Sequence, residues 1–202
     1  MPAKSSVTTE QVEGTESSRP LRADAQRNRA KILDAAEAVF AAQGIDVPID
    51  VIAETAGVGV GTVYRHFPTK ERLFESIMVE RVMSIVREGR SRLDTQDPHV
   101  AFFDFVRYFV AEVQLKRDLM SAFETAGVDM ELIAATAKQE LNNVVDDLFA
   151  AAQRAGSARS DVSGPTVFSL IGATCMAAKN LEPNATIDGM LTVLFDGLRI
   201  HT

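Results

Sequence analysis

Residues 49–70, IDVIAETAGVGVGTVYRHFPTK, constrain the fold of this chain more than any other stretch. They read as two short helices, about 49–56 and 60–66, joined by a tight turn. A helix-turn-helix sets its helices at a steep angle. That geometry needs a small residue where the helices touch, a turn residue tolerant of positive φ, and apolar side chains sealing the corner. Ala53 is the small contact, Gly57 supplies the turn, and Ile52, Ala56, Val58 and Val63 are spaced to seal it. Thr62, Tyr64, Arg65 and His66 then project from the second helix. In motifs of this kind that helix enters the major groove of DNA, with hydroxyls and cations on phosphates. The same spacing also serves plain helical bundles, so on geometry alone DNA binding and simple packing stand level.

The surrounding sequence is helical throughout. Upstream, a helix from about Arg22 carries Ile32, Leu33, Ala36, Val39 and Phe40 on one face and stops at Gly44. Pro48 suits the opening turn of the second helix. After Phe67-Pro68, a fourth helix starts with Thr69 as N-cap and runs to about Arg92, with Leu73, Phe74, Ile77, Met78, Val82 and Ile85 on one side. Further helices are expected at about 98–115, 118–126, 129–155, 164–180 and 186–200. No stretch alternates with the two-residue period of a strand. The expected fold is therefore all-α: an arm at 1–20 too poor in large apolar residues to order itself, a helix-turn-helix domain at 21–68, and a second helical domain at 69–202.

The net charge of −7 argues at first against a nucleic-acid partner, but it is unevenly spread. Residues 22–90 carry ten basic and ten acidic side chains, whereas residues 91–202 carry nine against fifteen. No acidic residue lies between Glu54 and Glu71, where Arg65, His66 and Lys70 fall. A locally acid-free surface is what a phosphate backbone can approach. Cys175, the single cysteine, excludes an internal disulfide and fits a reducing compartment. With three histidines besides, it offers no metal-ligand spacing, and no cofactor motif is present. The first twenty residues lack the apolar run of a secretory signal, and no apolar stretch reaches the length of a membrane span. A cytoplasmic location is expected, with the chain on the nucleoid when bound to DNA.

The run AGVGVGTVYRHFPTKERLF, preceded by RNRAKILDAAEAVFAAQG and IDVIAETAG, resembles the N-terminal domain of the TetR (tetracycline-repressor) family over about residues 22–76. The resemblance implies a one-component transcriptional regulator, by family default a repressor, in which Tyr64, His66 and Lys70 hold phosphates and Thr62 lies near a phosphate or base edge. It also implies that Arg27, in the first helix, reaches the DNA backbone. Arg65 is the residue expected to tune sequence choice, since Arg can address guanine with two hydrogen bonds; a solvated or phosphate-bound Arg is the alternative. Three positions depart from the family pattern. Pro48 stands where many relatives have a hydroxyl, Gly59 where a Ser caps the recognition helix, and Val60 where a polar residue is frequent.

The C-terminal half reads less sharply. Phe102, Phe105, Val106 and Phe109, with Met120, Phe123 and Cys175, are candidates to line a hydrophobic effector pocket or simply to form core. Arg107, Tyr108 and Glu112 are candidate polar contacts. On the last two helices Val167, Leu170, Ile171 and Thr174, and Leu191, Leu194 and Phe195, form apolar stripes suited to a homodimer interface, although similar stripes also serve the core of a single chain. A dimer would pair two half-sites of a palindromic operator. The expected partners are thus double-stranded DNA, a second copy, and a small, largely apolar effector that releases the repressor from its operator; no membrane is expected. An enzyme is not indicated, because no nucleophile–base constellation, phosphate loop or metal cluster is present. The alternative is a helical ligand- or protein-binding regulator that has lost specific DNA binding.

Overall fold

The computed structural model describes residues 18–115, 130–178 and 186–200. Its described residues form eight helices: α1 (Ser18–Gln43), α2 (Ile49–Ala56), α3 (Val60–His66), α4 (Lys70–Thr95), α5 (Pro98–Leu115), α6 (Met130–Ala155), α7 (Gly164–Ala177) and α8 (Ile187–Leu198). Among these residues the one β contact is an isolated bridge between Ala158 and Arg199, so the all-α expectation holds. The helix expected at 118–126 lies outside the described residues. The expected arm does too, except that Ser18–Pro20 already belong to α1. Pro20 sits in the first turn of that helix, where backbone N–H groups have no helical partner to lose. At its far end α4 extends three residues beyond Arg92, until Asp97-Pro98 ends it.

Two cores organise the chain. In the first, Ile32, Ala36 and Phe40 of α1 meet Ile52 and Ala53 of α2, Val63 of α3, Phe67, and Leu73, Phe74 and Ile77 of α4. The corner between α2 and α3 is set by Gly57, which holds φ 66° and ψ 35°, a left-handed conformation that costs glycine little. The N–H of Val58 donates to the carbonyl of Ala53 at 3.0 Å and closes the turn. Thr69 caps α4 by accepting the N–H of Arg72 at 3.3 Å. Burial of these side chains, rather than intrinsic propensity, holds helices of seven and eight residues in place.

The second core joins the later turns of α4 to α5, α6, α7 and α8. Phe102 lies 5.0 Å from Phe149 and 5.2 Å from Phe103, which in turn meets Phe195 at 5.2 Å between ring centroids. α4 crosses α5 and α6 closely at Gly89, where an added Cβ would stand 2.8 Å from both the Phe105 ring and a Val144 methyl. One unbroken helix therefore belongs to both cores: Leu73–Met78 to the first, Ile85 and Val86 to the second.

Candidate nucleic-acid interface and effector domain

α3 presents its outer face over the first core. Val63 is fully buried and anchors the helix, while Tyr64 is 49% exposed and Arg65 is exposed beside it. Thr62 and His66 are partly exposed. α3 ends in Arg65 and His66, whose charge suits the negative end of a helix dipole. Phe67 closes the helix and is buried under the guanidinium of Arg29, 5.4 Å from the ring centroid. Arg29, from α1, therefore lies beside the end of α3. Arg27 is exposed and pairs with Asp24 within α1. Lys70, partly exposed, also has a partner within the protein: its Nζ donates to the carbonyl of Val47 at 2.8 Å and lies near the Phe40 and Phe74 rings. It pins the segment leading into α2 onto α4. Thr62, Tyr64, Arg65 and His66 thus share α3, whereas Arg27 and Lys70 stand on neighbouring helices with protein partners of their own.

In the second half, a cavity of about 430 Å³ lies between α1, α4, α5 and α6. Of the seven residues expected to line an effector pocket, Phe109 is on its wall. Phe102, Phe105 and Val106 are fully buried and Cys175 nearly so, and all four pack in the second core and are not on the cavity wall. Met120 and Phe123 lie outside the described residues. Tyr108 and Glu112 do face the cavity, whereas Arg107 stacks over Phe195 at 4.9 Å and reaches Asp188 at 4.0 Å. Sequence reasoning missed Arg81 and Glu37, which line the same cavity and pair at 2.7 Å. A signal for Arg81 was present, because it follows Ile77 and Met78 by four and three residues and so interrupts the buried stripe of α4.

The stripes on α7 and α8 divide in two. Val167, Ile171, Leu191 and Phe195 are buried in the second core of their own protomer, whereas Thr174, nearly buried, borders the outer face. Leu170 is 42% exposed, and with Leu194, Ala173, Met190 and Val193 (75% exposed) it lines an open, mostly apolar groove of about 850 Å³ along the outside of both helices. Of the seven residues expected at a dimer interface, Leu170, Thr174 and Leu194 thus border this open groove, and Val167, Ile171, Leu191 and Phe195 lie in the core. Among the described residues no helix is long and apolar enough to cross a membrane, and no group of His, Cys, Asp and Glu could hold a metal ion.

Comparison with known proteins identifies this arrangement. Residues 32–77 match the family of bacterial regulatory proteins of the tetR family, and residues 97–200, over half of the chain, match the C-terminal domain of SbtR-like transcriptional regulators. The chain belongs to the TetR family. A solved TetR transcription regulatory protein from Mycobacterium vanbaalenii is similar at 40% identity and a TM-score of 0.72, over 90% of this chain and 100% of that one. The TetR regulator SCO0520 from Streptomyces coelicolor is 30% identical with a TM-score of 0.65, over 85% and 98% respectively. The HTH-type transcriptional repressor KstR of Mycobacterium tuberculosis is 31% identical over 144 residues, 70% of this chain. The match spans 66% of that KstR's length, and 30% and 48% of the Pseudomonas putida regulators SrpR and TtgW.

This TetR-family protein is accordingly a DNA-binding transcription regulator and not an enzyme, and α2–α3 is its helix-turn-helix. The family match to the first domain ends at Ile77, within the turns of α4 that pack in the first core. Both family matches leave the α4 segment between them, residues 78–96, unassigned.

Proposed function

We propose that this TetR-family regulator is a repressor that binds a palindromic operator as a homodimer and is released by a small, largely apolar effector. The observation that carries the DNA reading is the exposure of Tyr64 and Arg65 on a helix held rigidly by Val63, in a stretch with no acidic residue between Glu54 and Glu71. Thr62, Tyr64 and His66 take phosphates, Arg65 addresses a base edge, and Arg27 and Arg29 approach the backbone from α1. Lys70 acts mainly by holding α2 in register with α4. Residues 21–68 form the DNA-binding domain and 69–202 the effector and dimerisation domain, with α4 reaching into both. The dimer forms through the outer apolar groove of α7 and α8, which otherwise leaves Leu170 and Val193 in water. Repression as the outcome is supported by the similarity to KstR, a transcriptional repressor.

The test is fluorescence anisotropy of the purified protein on the DNA flanking its own gene, across a salt series. Selective binding that weakens steeply with salt is expected, because each neutralised phosphate releases counterions. Affinity no different from that for random DNA, there and in a genome-wide selection of bound fragments, would overturn the reading.

A further inference from the structure

We propose that the cavity between α1, α4, α5 and α6 binds an uncharged, mainly apolar molecule through an acceptor oxygen, such as a carbonyl, held by Arg81. The inference rests on the regulator reading for its biological use, and on the cavity alone for its chemistry. Arg81 is the centre of the case. Its side chain is only 10% exposed, and its Nη2 donates to Glu37 at 2.7 Å. Its Nε and Nη1 are buried with no hydrogen-bond partner. A buried charged donor without an acceptor is costly; both N–H groups are shut off from the cavity as it stands, and a ligand oxygen reaches them when the Arg81 side chain turns into the 430 Å³ space it borders. That volume lies in the range of small-molecule sites.

The other charges on the wall select the kind of acceptor. Asp34, Glu37, Glu80 and Glu112 face Arg81 and Arg87, four carboxylates against two guanidiniums. A carboxylate ligand would meet net repulsion, and a cation, having no acceptor to offer, would leave the two Arg81 N–H groups unsatisfied. A neutral oxygen avoids both penalties and still satisfies a guanidinium N–H. Phe109, Val113 and Leu141 supply the apolar wall. Tyr108 adds a second donor, because burial and the carboxylates of Glu112 and Glu88 raise its pKa and keep the phenol protonated. The location gives the ligand leverage over DNA binding. Glu37 is on α1, which packs under α2 and α3, and Arg81 is on the helix shared by both cores.

The experiment is calorimetric titration of the full chain with three naphthalenes of similar shape: 2-acetylnaphthalene, 2-isopropylnaphthalene and 2-naphthoate. The ketone is expected to bind at least ten times more tightly than the hydrocarbon or the anion. Arg81→Met should remove the ketone's advantage over the hydrocarbon. Val113→Trp, which fills the cavity while keeping Arg81, should abolish binding of all three, and an unchanged urea midpoint in both variants separates a filled or altered cavity from a lost fold. Equal binding of ketone and hydrocarbon, preference for the naphthoate, or unchanged ketone affinity in Arg81→Met would overturn the proposal. Wild-type protein that grips its operator but ignores the ketone sinks this inference alone. Protein that binds the ketone through Arg81 but binds no operator sinks the regulator reading and leaves the cavity chemistry standing.

Discussion

Lys70 and Arg65 lie five residues apart and make opposite uses of their charge. Lys70 gives a hydrogen bond to the Val47 carbonyl from a half-buried position, so Lys70→Met is expected to destabilise the fold by about 1 kcal/mol, read as a lower urea midpoint. Arg65 is exposed on α3, and Arg65→Ala should leave that midpoint unchanged while costing about 1–3 kcal/mol of operator affinity and relaxing specificity at one base pair. An unchanged operator affinity would remove Arg65 from the interface. Cys175 is buried in the second core, and desolvation pushes its thiol up to about 11. The folded pKa then exceeds the unfolded value of about 8.5, so the folded state disfavours the thiolate. Stability from the neutral thiol is complete below about pH 8.5 and is lost as pH rises towards 11. Iodoacetamide at pH 8 should therefore modify native protein far more slowly than urea-unfolded protein; equal rates would place the thiol in solvent. Among single residues, Gly57 was readable from sequence because its role is local: a left-handed turn needs glycine whatever surrounds it. Lys70 was not, since its partner lies 23 residues away and only the fold brings them together.

Helix packing explains which elements resisted reading. The α2–α3 corner could be anticipated because both helices are short and each has one buried face. On α7 the apolar side chains surround most of the helix, so a stripe at three- and four-residue spacing identified a buried face without saying whether the protomer or a second copy buries it. Leu170 and Ile171 are adjacent in sequence and end on opposite sides of that distinction. The cavity was harder still, because its polar wall is assembled from α1, α4 and α5, and no local pattern announces an unfilled space. Close approach of α4 to α5 and α6 depends on Gly89. Replacing it with Ala gains about 1 kcal/mol in helix propensity. It also drives a methyl to 2.8 Å from a fully buried Phe105 ring and from Val144, a clash worth about 1–3 kcal/mol when a core cannot yield. Gly89→Ala is expected to lower the melting temperature, and an unchanged or higher one would mean the crossing has slack.

For the molecule as a whole, assembly is the property most open to test. Leu170→Glu with Val193→Glu puts charge on the outer groove of α7 and α8 without touching the core beneath it. Sedimentation should show this variant as a folded monomer with weakened operator binding, because half of the two-fold contacts are gone. A stable dimer would move the interface elsewhere. By contrast, a charge at Val167 or Phe195 should unfold the chain, since both are fully buried. The shared helix α4 bears on how such proteins can be recombined. A hybrid joining this DNA-reading module to another regulator's sensor cannot be cut at residue 68, because Leu73, Phe74, Ile77 and Met78 would then be supplied by the wrong parent. The workable seam lies at Val79–Glu80, the exposed turn between the two buried stretches, and the donor sensor must bring a residue at position 81 that accepts Glu37 as its neighbour.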